Sequence, residues 1–230
     1  NCRSIVVISG AGISTKAGIA DFRSSSRTKG SSRQVFHISA YSSEESTARL
    51  HNTMYQMFTA AERSQPTAFH YYMSGLAVSG KLRRHYTQNI DCLETQPPLL
   101  SQKTKWPHGR LDRMICQRCQ LVVPTSPDSF QQQALSSCVK CEAADQERLQ
   151  AGKRSHGVGL LLPKVLLYGG DSPDESDIAD SFEKDLNDPV DAVIIVGTRL
   201  QIPSLRRLAY RLCEAVKSRG GITLWVSDEP

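Results

Sequence analysis

The chain has 230 residues, 39% of them hydrophobic and 22% charged, with a formal net charge of +5. That length buries one substantial core and leaves room for a small module inserted in it. No apolar run approaches the roughly eighteen residues of a membrane span and no charged-then-apolar leader is present, so a soluble intracellular chain is expected.

Ile5, Val6, Val7 and Ile8 are four consecutive β-branched residues, the pattern of a strand buried on both faces. They run into Gly10-Ala11-Gly12 and a helix start at Ser14 or Thr15. Glycines there let the backbone bend and approach a ligand, and the helix start offers unpaired N–H groups to an anion. The dinucleotide pattern G-x-G-x-x-G is broken by Thr15 at its third glycine, and no acidic residue ends a second strand about twenty residues on. An ordinary dehydrogenase is therefore disfavoured. Asp21, Phe22 and Arg23 bring an acid, an aromatic and a guanidinium just past the turn, where a loop can fold back over whatever the glycines hold. The polar run Ser24 to Arg33 suits a lid or a plain linker equally.

Helical spacing of apolar residues predicts helices over Thr47 to Arg63 and Thr67 to Ser79, separated by Pro66, with Ser64 or Thr67 as cap. From Leu82 a strand is expected to end in Gln88-Asn89-Ile90-Asp91, where Asn89 and Asp91 face one way. Ligands of α/β folds sit at the carboxyl ends of strands, where this tetrad and the glycine turn both fall. His108 follows Pro107 and precedes Gly109.

Cys116, Cys119, Cys138 and Cys141 give C-x2-C-x18-C-x2-C, the spacing of a four-thiolate zinc site. A shell filled by four cysteines leaves no open position for water, so the metal is expected to be structural, and disulfides are disfavoured in a reducing compartment. Cys2, Cys92 and Cys213 read as small buried hydrophobes. Leu160 to Gly170 is a further buried-strand candidate. Asp191 to Leu200 is a third strand-to-turn unit, with Gly197 and Thr198 at its end. An amphipathic helix is expected from Ser204 to Lys217, and its Arg206, Arg207, Arg211 and Lys217, with Arg219, form a solvated basic face or a contact for DNA. Ile222 to Ser227 is read as the last core strand.

The run GAGISTKAGIADFRS, the tetrad Gln88 to Asp91, the His108-Gly109 pair, the cysteine module and Gly197-Thr198 follow in an order that resembles the sirtuins, NAD-dependent protein lysine deacylases. The resemblance runs from Ile5 to Ser227 and is nearest to the nuclear fungal branch that acts on histones. The expected fold is α/β: a Rossmann-like parallel-sheet NAD-binding domain with a smaller inserted helical and four-cysteine zinc module. The large part is expected over about 1–30, 80–112 and 155–230, the helical insertion over about 35–79, and the zinc module over about 113–150.

As the resemblance implies, His108 is the general base, Asp91 holds the nicotinamide carboxamide and Asn89 orders the ribose or a water. NAD contacts fall to Gly10, Ala11, Gly12, Asp21, Phe22, Arg23, Gln88, Asn89, Ile90, Asp91, Gly197, Thr198, Arg199 and Ser227. The acyl-lysine peptide lies along Val165, Leu166, Leu167, Tyr168 and Gly169. Leu162, Gly170, Arg199 and Ser227 depart from the family, which commonly has arginine, glutamate, serine and asparagine there. The implied activity is NAD-dependent deacetylation of acetylated histone in the nucleus, releasing nicotinamide and O-acetyl-ADP-ribose. Acetyl is expected over succinyl, because no Tyr-x-x-Arg lies between Asp21 and Gln88 to pair with a second carboxylate. A protein ADP-ribosyltransferase and a non-catalytic NAD-binding chromatin module are the alternatives.

Overall fold

In the computed structural model, residues 2–19, 32–131, 135–172 and 174–227 are described; Asp21, Phe22 and Arg23, named above as cofactor contacts, lie outside them. The strands are β1 (Ile5–Ser9), β2 (Leu82–Thr87), β3 (Thr104–Lys105), β4 (Gly109–Cys116), β5 (Val122–Pro124), β6 (Leu161–Val165), β7 (Ala192–Val196) and β8 (Ile222–Val226). The helices are α1 (Ser32–Val35), α2 (Glu44–Arg63), α3 (Ala68–Val78), α4 (Leu100–Lys103), α5 (Asp128–Gln131), α6 (Val139–Gln150), α7 (Glu175–Asn187) and α8 (Pro203–Ser218).

Every residue of β1 is buried, and its side chains alternate between two cores as strand geometry demands. Val6 and Ile8 pack with Phe182 of α7 and with Leu205 and Leu212 of α8. Ile5 and Val7 pack with Met73 of α3 and Leu100 of α4. A strand covered by helices on both sides has no polar face, which explains its unbroken β-branched run. Around it the sheet is parallel in the order β3-β2-β1-β7-β8. The chain leaves β1 toward β2 on one side and later adds β7 on the other, so the order reverses at the β1/β7 seam. Such a switch point opens a crevice beyond the carboxyl ends of the strands.

A second sheet, β5-β4-β6, is antiparallel. The helices α1 and α2 pack with it around Leu50, Met54, Phe58, Ile90, Leu111 and Phe130. The expected strand over 160–170 is therefore short and belongs to this smaller sheet. Gly109 of β4 permits the pairing: at φ +76 a Cβ there would lie 2.2 Å from the Lys164 carbonyl oxygen.

Three local expectations change. Among the described residues no α-helix follows the first glycine turn directly; Ala11–Ile13 and Thr15–Ala17 are 3-10 turns, ended by Gly18 at φ 82. The buried Ser14 between them is tied to a neighbouring strand end, and the left-handed Gly18 stops propagation. α2 starts before Thr47 because Ser43 caps it, its hydroxyl accepting from the Ser46 N–H at 3.2 Å. β8 is an edge strand among the described residues, with Ile222, Leu224, Trp225 and Val226 about half exposed, and not a core strand.

One buried ionic cluster fastens α7 to β2. The β1–β2 register shifts between Ile5 and Val6, whose partners are Leu82 and Arg84. This bulge turns two consecutive arginines toward the same carboxylate. Arg83 Nε and Arg84 Nε each donate to Asp185 at 2.7 Å, as does the Tyr86 hydroxyl. Asp185 is 1% exposed, so its charge is tolerable only because it is paired and hydrogen-bonded.

Candidate active site and metal centre

Two glycine turns meet at the switch point. The Gly12 N–H donates to the Gly197 carbonyl at 2.9 Å, and the Gly10 N–H to the Val196 carbonyl at 3.2 Å. A Cβ on Gly10 would lie 2.7 Å from Thr198 Cβ, and one on Gly12 would lie 2.7 Å from Gly197 Cα. Gly197 itself has φ +62, and its own Cβ would strike the Ile13 nitrogen at 2.7 Å. The glycines thus serve first to let the two turns touch each other, before any approach to a ligand.

The ends of β2 and β7 are tied into this contact. Gln88 Nε2 donates to Thr198 Oγ1 at 2.8 Å, and the same hydroxyl oxygen accepts from the Leu200 N–H. Asn89 Nδ2 donates to Ser14 Oγ at 3.1 Å, and its backbone N–H to Thr87 Oγ1. Thr67, at the start of α3, donates its hydroxyl to the Ile13 carbonyl at 3.0 Å. A small cleft beside this lattice is lined by Ala11, Ser14, Ile19, Met57, Asn89, Ile90 and Asp91. Arg199, past the end of β7, and Ser227, past the end of β8, are exposed.

His108 approaches from the turn before β4. Its Nδ1 lies 3.0 Å from the Gln88 carbonyl oxygen, so the proton sits on Nδ1 and donates to that carbonyl. Nε2 is left as the acceptor, buried and without a protein partner. Burial lowers the imidazole pKa from 6.5, with the Gln88 carbonyl acting the other way, so the ring is neutral at pH 7. The His108 carbonyl accepts the Leu166 N–H at 2.9 Å, which ties the Val165 to Gly169 segment to the histidine turn. Phe36 and Ile38 pin the far end of that segment, through Tyr168 N–H to the Phe36 carbonyl and Ile38 N–H to the Tyr168 carbonyl. Leu167 is core, whereas Tyr168 is 44% exposed.

Two acids share the floor of the site. Asp91 Oδ1 accepts the Leu93 N–H at 3.1 Å; burial raises its pKa, opposed by that N–H and the Ser14 hydroxyl. Glu94 is fully buried, and its oxygens have no well-formed hydrogen bond, with its own backbone N–H, the Thr87 hydroxyl and the Trp106 indole N–H as weak donors toward them. Burial first, and the Asp91 charge second, push its pKa from 4.5 to about 8. Of the pair, Glu94 therefore holds a proton at neutrality. Sequence reasoning passed over Glu94, Ser14 as a side chain, and Met57; a glutamate three residues past Asp91 was the only available signal.

The four cysteines converge as their spacing predicts. Cys116 ends β4, Cys119 lies in the following turn, and Cys138 and Cys141 flank the start of α6. Their sulfur atoms all lie within 4.8 Å of one another, with Cys116 to Cys141 at 3.7 Å and Cys119 to Cys138 at 3.6 Å. A tetrahedral Zn–S bond of about 2.3 Å requires sulfur separations of about 3.8 Å, whereas a disulfide needs about 2.05 Å. Backbone N–H groups of Arg118 and Cys119 point at Cys116 Sγ at 3.4 Å, as suits a thiolate. The donor set fits a closed four-sulfur zinc ion.

Comparison with known proteins matches residues 10–204 to the Sir2 family model. The chain belongs to the Sir2 family. It is 39% identical to the NAD-dependent protein deacetylase hst4 of Emericella nidulans over 252 residues, covering 100% of this chain and 42% of that protein. It is 35% identical to the NAD-dependent histone deacetylase HST4 of Saccharomyces cerevisiae, covering 98% of this chain and 67% of that one. The chain thus spans between two-fifths and two-thirds of these relatives' length. A crystal structure of a Sir2 homologue–NAD complex superposes with a TM-score of 0.73 over 97% of this chain and 77% of that one, at 23% identity. The parallel α/β sheet expected from the sequence is the Sir2 fold.

The cysteine cluster predicts one zinc per chain, and loss of order in the second sheet when metal is removed, because the four sulfurs join β4 to α6. Zinc analysis with thermal melts of wild type and Cys138→Ser checks this; a metal-free variant melting with the wild type would contradict it. The buried acid predicts a second outcome. Glu94 binds its proton more tightly folded than unfolded, so stability falls as pH rises from about 4.5 toward about 8. Glu94→Gln removes that loss and should raise the melting temperature near pH 8 more than near pH 5; an equal shift at both would contradict the protonated assignment.

Proposed function

We propose that this chain is the catalytic portion of an NAD-dependent protein lysine deacetylase acting on acetylated histone in the nucleus. The observation that carries the reading is His108: a neutral imidazole, its tautomer fixed by the Gln88 carbonyl, with Nε2 buried and unpartnered beside the Gln88 to Asp91 strand end. A buried acceptor is costly unless a ligand hydroxyl meets it.

The residues present fit NAD. The switch-point crevice, the Gly10 and Gly12 turn against Gly197 and Thr198, and the anionic Asp91 match its pyrophosphate, ribose and carboxamide. NAD supplies a ribose carbon with a nicotinamide leaving group and ribose hydroxyls that receive the acyl group. Asp91 accepts from the carboxamide N–H₂ and sets the ring's orientation. Asn89, held by Ser14 and Thr87, presents its amide at the same strand end. Gly10, Ala11, Gly12, Gln88, Ile90, Gly197, Thr198, Arg199 and Ser227 line the dinucleotide path in this reading. Backbone of Val165, Leu166, Leu167, Tyr168 and Gly169 holds the peptide, with Tyr168 supplying the exposed ring. His108 Nε2 takes the proton of a ribose hydroxyl, a general-base step. The cysteine cluster holds structural zinc and takes no part in bond making. The relative named as a histone deacetylase, HST4 of Saccharomyces cerevisiae, and the apolar Ile19 and Met57 near Asp91 support an acetyl group on a histone lysine as substrate.

His108 acts after nicotinamide leaves, so its loss separates two readouts. His108→Ala should lose deacetylated peptide by roughly a hundredfold or more while keeping acetyl-peptide-dependent exchange of labelled nicotinamide into NAD. Asp91→Ala should lose both. Because the imidazole pKa is lowered, product formation by the wild type should persist below pH 6.5 before protonation of Nε2 abolishes it. Deacetylation at the wild-type rate by His108→Ala would sink the assignment, and ADP-ribosylated protein without deacetylated peptide would replace it with a transferase.

A further inference from the structure

The parallel strands all begin at one edge of the large sheet, opposite the crevice that carries His108 and Asp91. An open cleft of about 390 Å³ lies at that edge, lined by Arg3, Ser4, Arg83, Arg84, Gln102 and Lys103 together with Gly80 and Leu82. Across a five-residue strand it stands about 17 Å from the glycine turns.

The charges in this cleft do not cancel. Arg83 and Arg84 are matched by Asp185 and Asp188, with Arg83 also reaching the Lys184 carbonyl at the end of α7. Those two arginines have a structural role, neutralising a buried carboxylate and a helix carboxyl end. Arg3 and Lys103 do not. Among the described residues neither side chain has an ion-pair partner. Asp191 accepts the backbone N–H groups of Arg3 and Ser4 at 2.6 and 2.9 Å, and the Arg3 charge also favours its ionised form, so Arg3 is partly balanced while Lys103 is not. Lys81 stands exposed between the two lining residues Gly80 and Leu82 and adds to the same sign. The cleft lining thus carries more positive than negative charge, which a multivalent anion neutralises.

We propose that this cleft binds the phosphates of duplex DNA, so that the chain docks on the nucleic acid by the strand-start edge while the opposite edge takes NAD and the acyl-lysine peptide. Phosphate fits the site because Arg3 and Lys103 supply charge while the Gln102 amide and the Ser4 hydroxyl supply neutral donors. DNA as the source of that phosphate rests on the histone-deacetylase reading; phosphate binding itself does not. The basic face of α8 is the weaker candidate, since Arg211 pairs with Glu183 and Arg219 donates to the Leu186 carbonyl of α7 and the Asp188 carbonyl just past its end.

The test is a fluorescence-anisotropy titration of a short labelled duplex with the zinc-loaded chain over a range of salt concentrations. Arg3→Glu combined with Lys103→Glu should weaken binding at least tenfold and reduce the slope of log affinity against log salt by about two. Turnover of a free acetyl peptide and the melting temperature should stay at wild-type values. Arg206→Glu combined with Arg207→Glu on α8 should change binding less than the cleft pair. Unchanged affinity and slope in the cleft variant, or a larger effect from the α8 pair, would overturn the proposal. Binding of inorganic tripolyphosphate that the cleft variant abolishes, with no duplex binding by the wild type, would overturn DNA as the source of phosphate. Duplex binding is read without NAD, so a wild-type chain inactive on acetyl peptide would count against the deacetylase reading and leave this result standing.

Discussion

The contact between the Gly10-Ala11-Gly12 turn and Gly197 is the constraint on which the site depends. Two strand ends are brought so close that side chains on either would collide with the other's backbone, and the Gly12 N–H to Gly197 carbonyl bond locks them at 2.9 Å. Thr198 then sits where Gln88 can reach it, and Ser14 where Asn89 can reach it. The Gln88 carbonyl, fixed in turn, sets the tautomer of His108. Glycine at these positions costs backbone entropy in the unfolded chain. In return, three strand ends share one hydrogen-bonded lattice.

Burial then sets the charges. Removing His108 from water lowers its basicity enough to keep it neutral at pH 7, the state a base requires. The same desolvation acts on Asp91 and Glu94 in the opposite sense, and the Asp91 charge adds to the rise at Glu94. Glu94 is kept protonated beside the carboxyl group that the proposed function assigns to the carboxamide. Elsewhere in the sheet the buried His85 is held neutral by burial and bonded between Ser9 and Thr104, so sheet stability and site chemistry rest on one principle.

Much of this was legible in the sequence. Ile5 to Ile8 identified a doubly covered strand, Gln88 to Asp91 and Gly197-Thr198 identified strand ends, and C-x2-C-x18-C-x2-C placed four sulfurs in one cluster. What was not legible depended on partners distant in sequence. The helix expected after Thr15 fails because Ser14 is drawn inward by Asn89, 75 residues away. Leu161 to Val165 has the composition of a core strand, yet Gly109 offers it a closer fit in the smaller sheet. Val226 and its neighbours look like core, and only the strand order shows that they form an edge. Glu94 has no periodic or spacing signal, because its role comes from what surrounds it.

The account stands most directly on the glycine lock, and calorimetric titration of NAD into wild type and Gly12→Ala tests it. A methyl group on Gly12 must separate the turns, since it would meet Gly197 Cα at 2.7 Å. The account predicts that Gly12→Ala retains its zinc and its secondary structure, loses measurable NAD binding and melts at a lower temperature. NAD affinity and melting temperature both equal to the wild type's would contradict it.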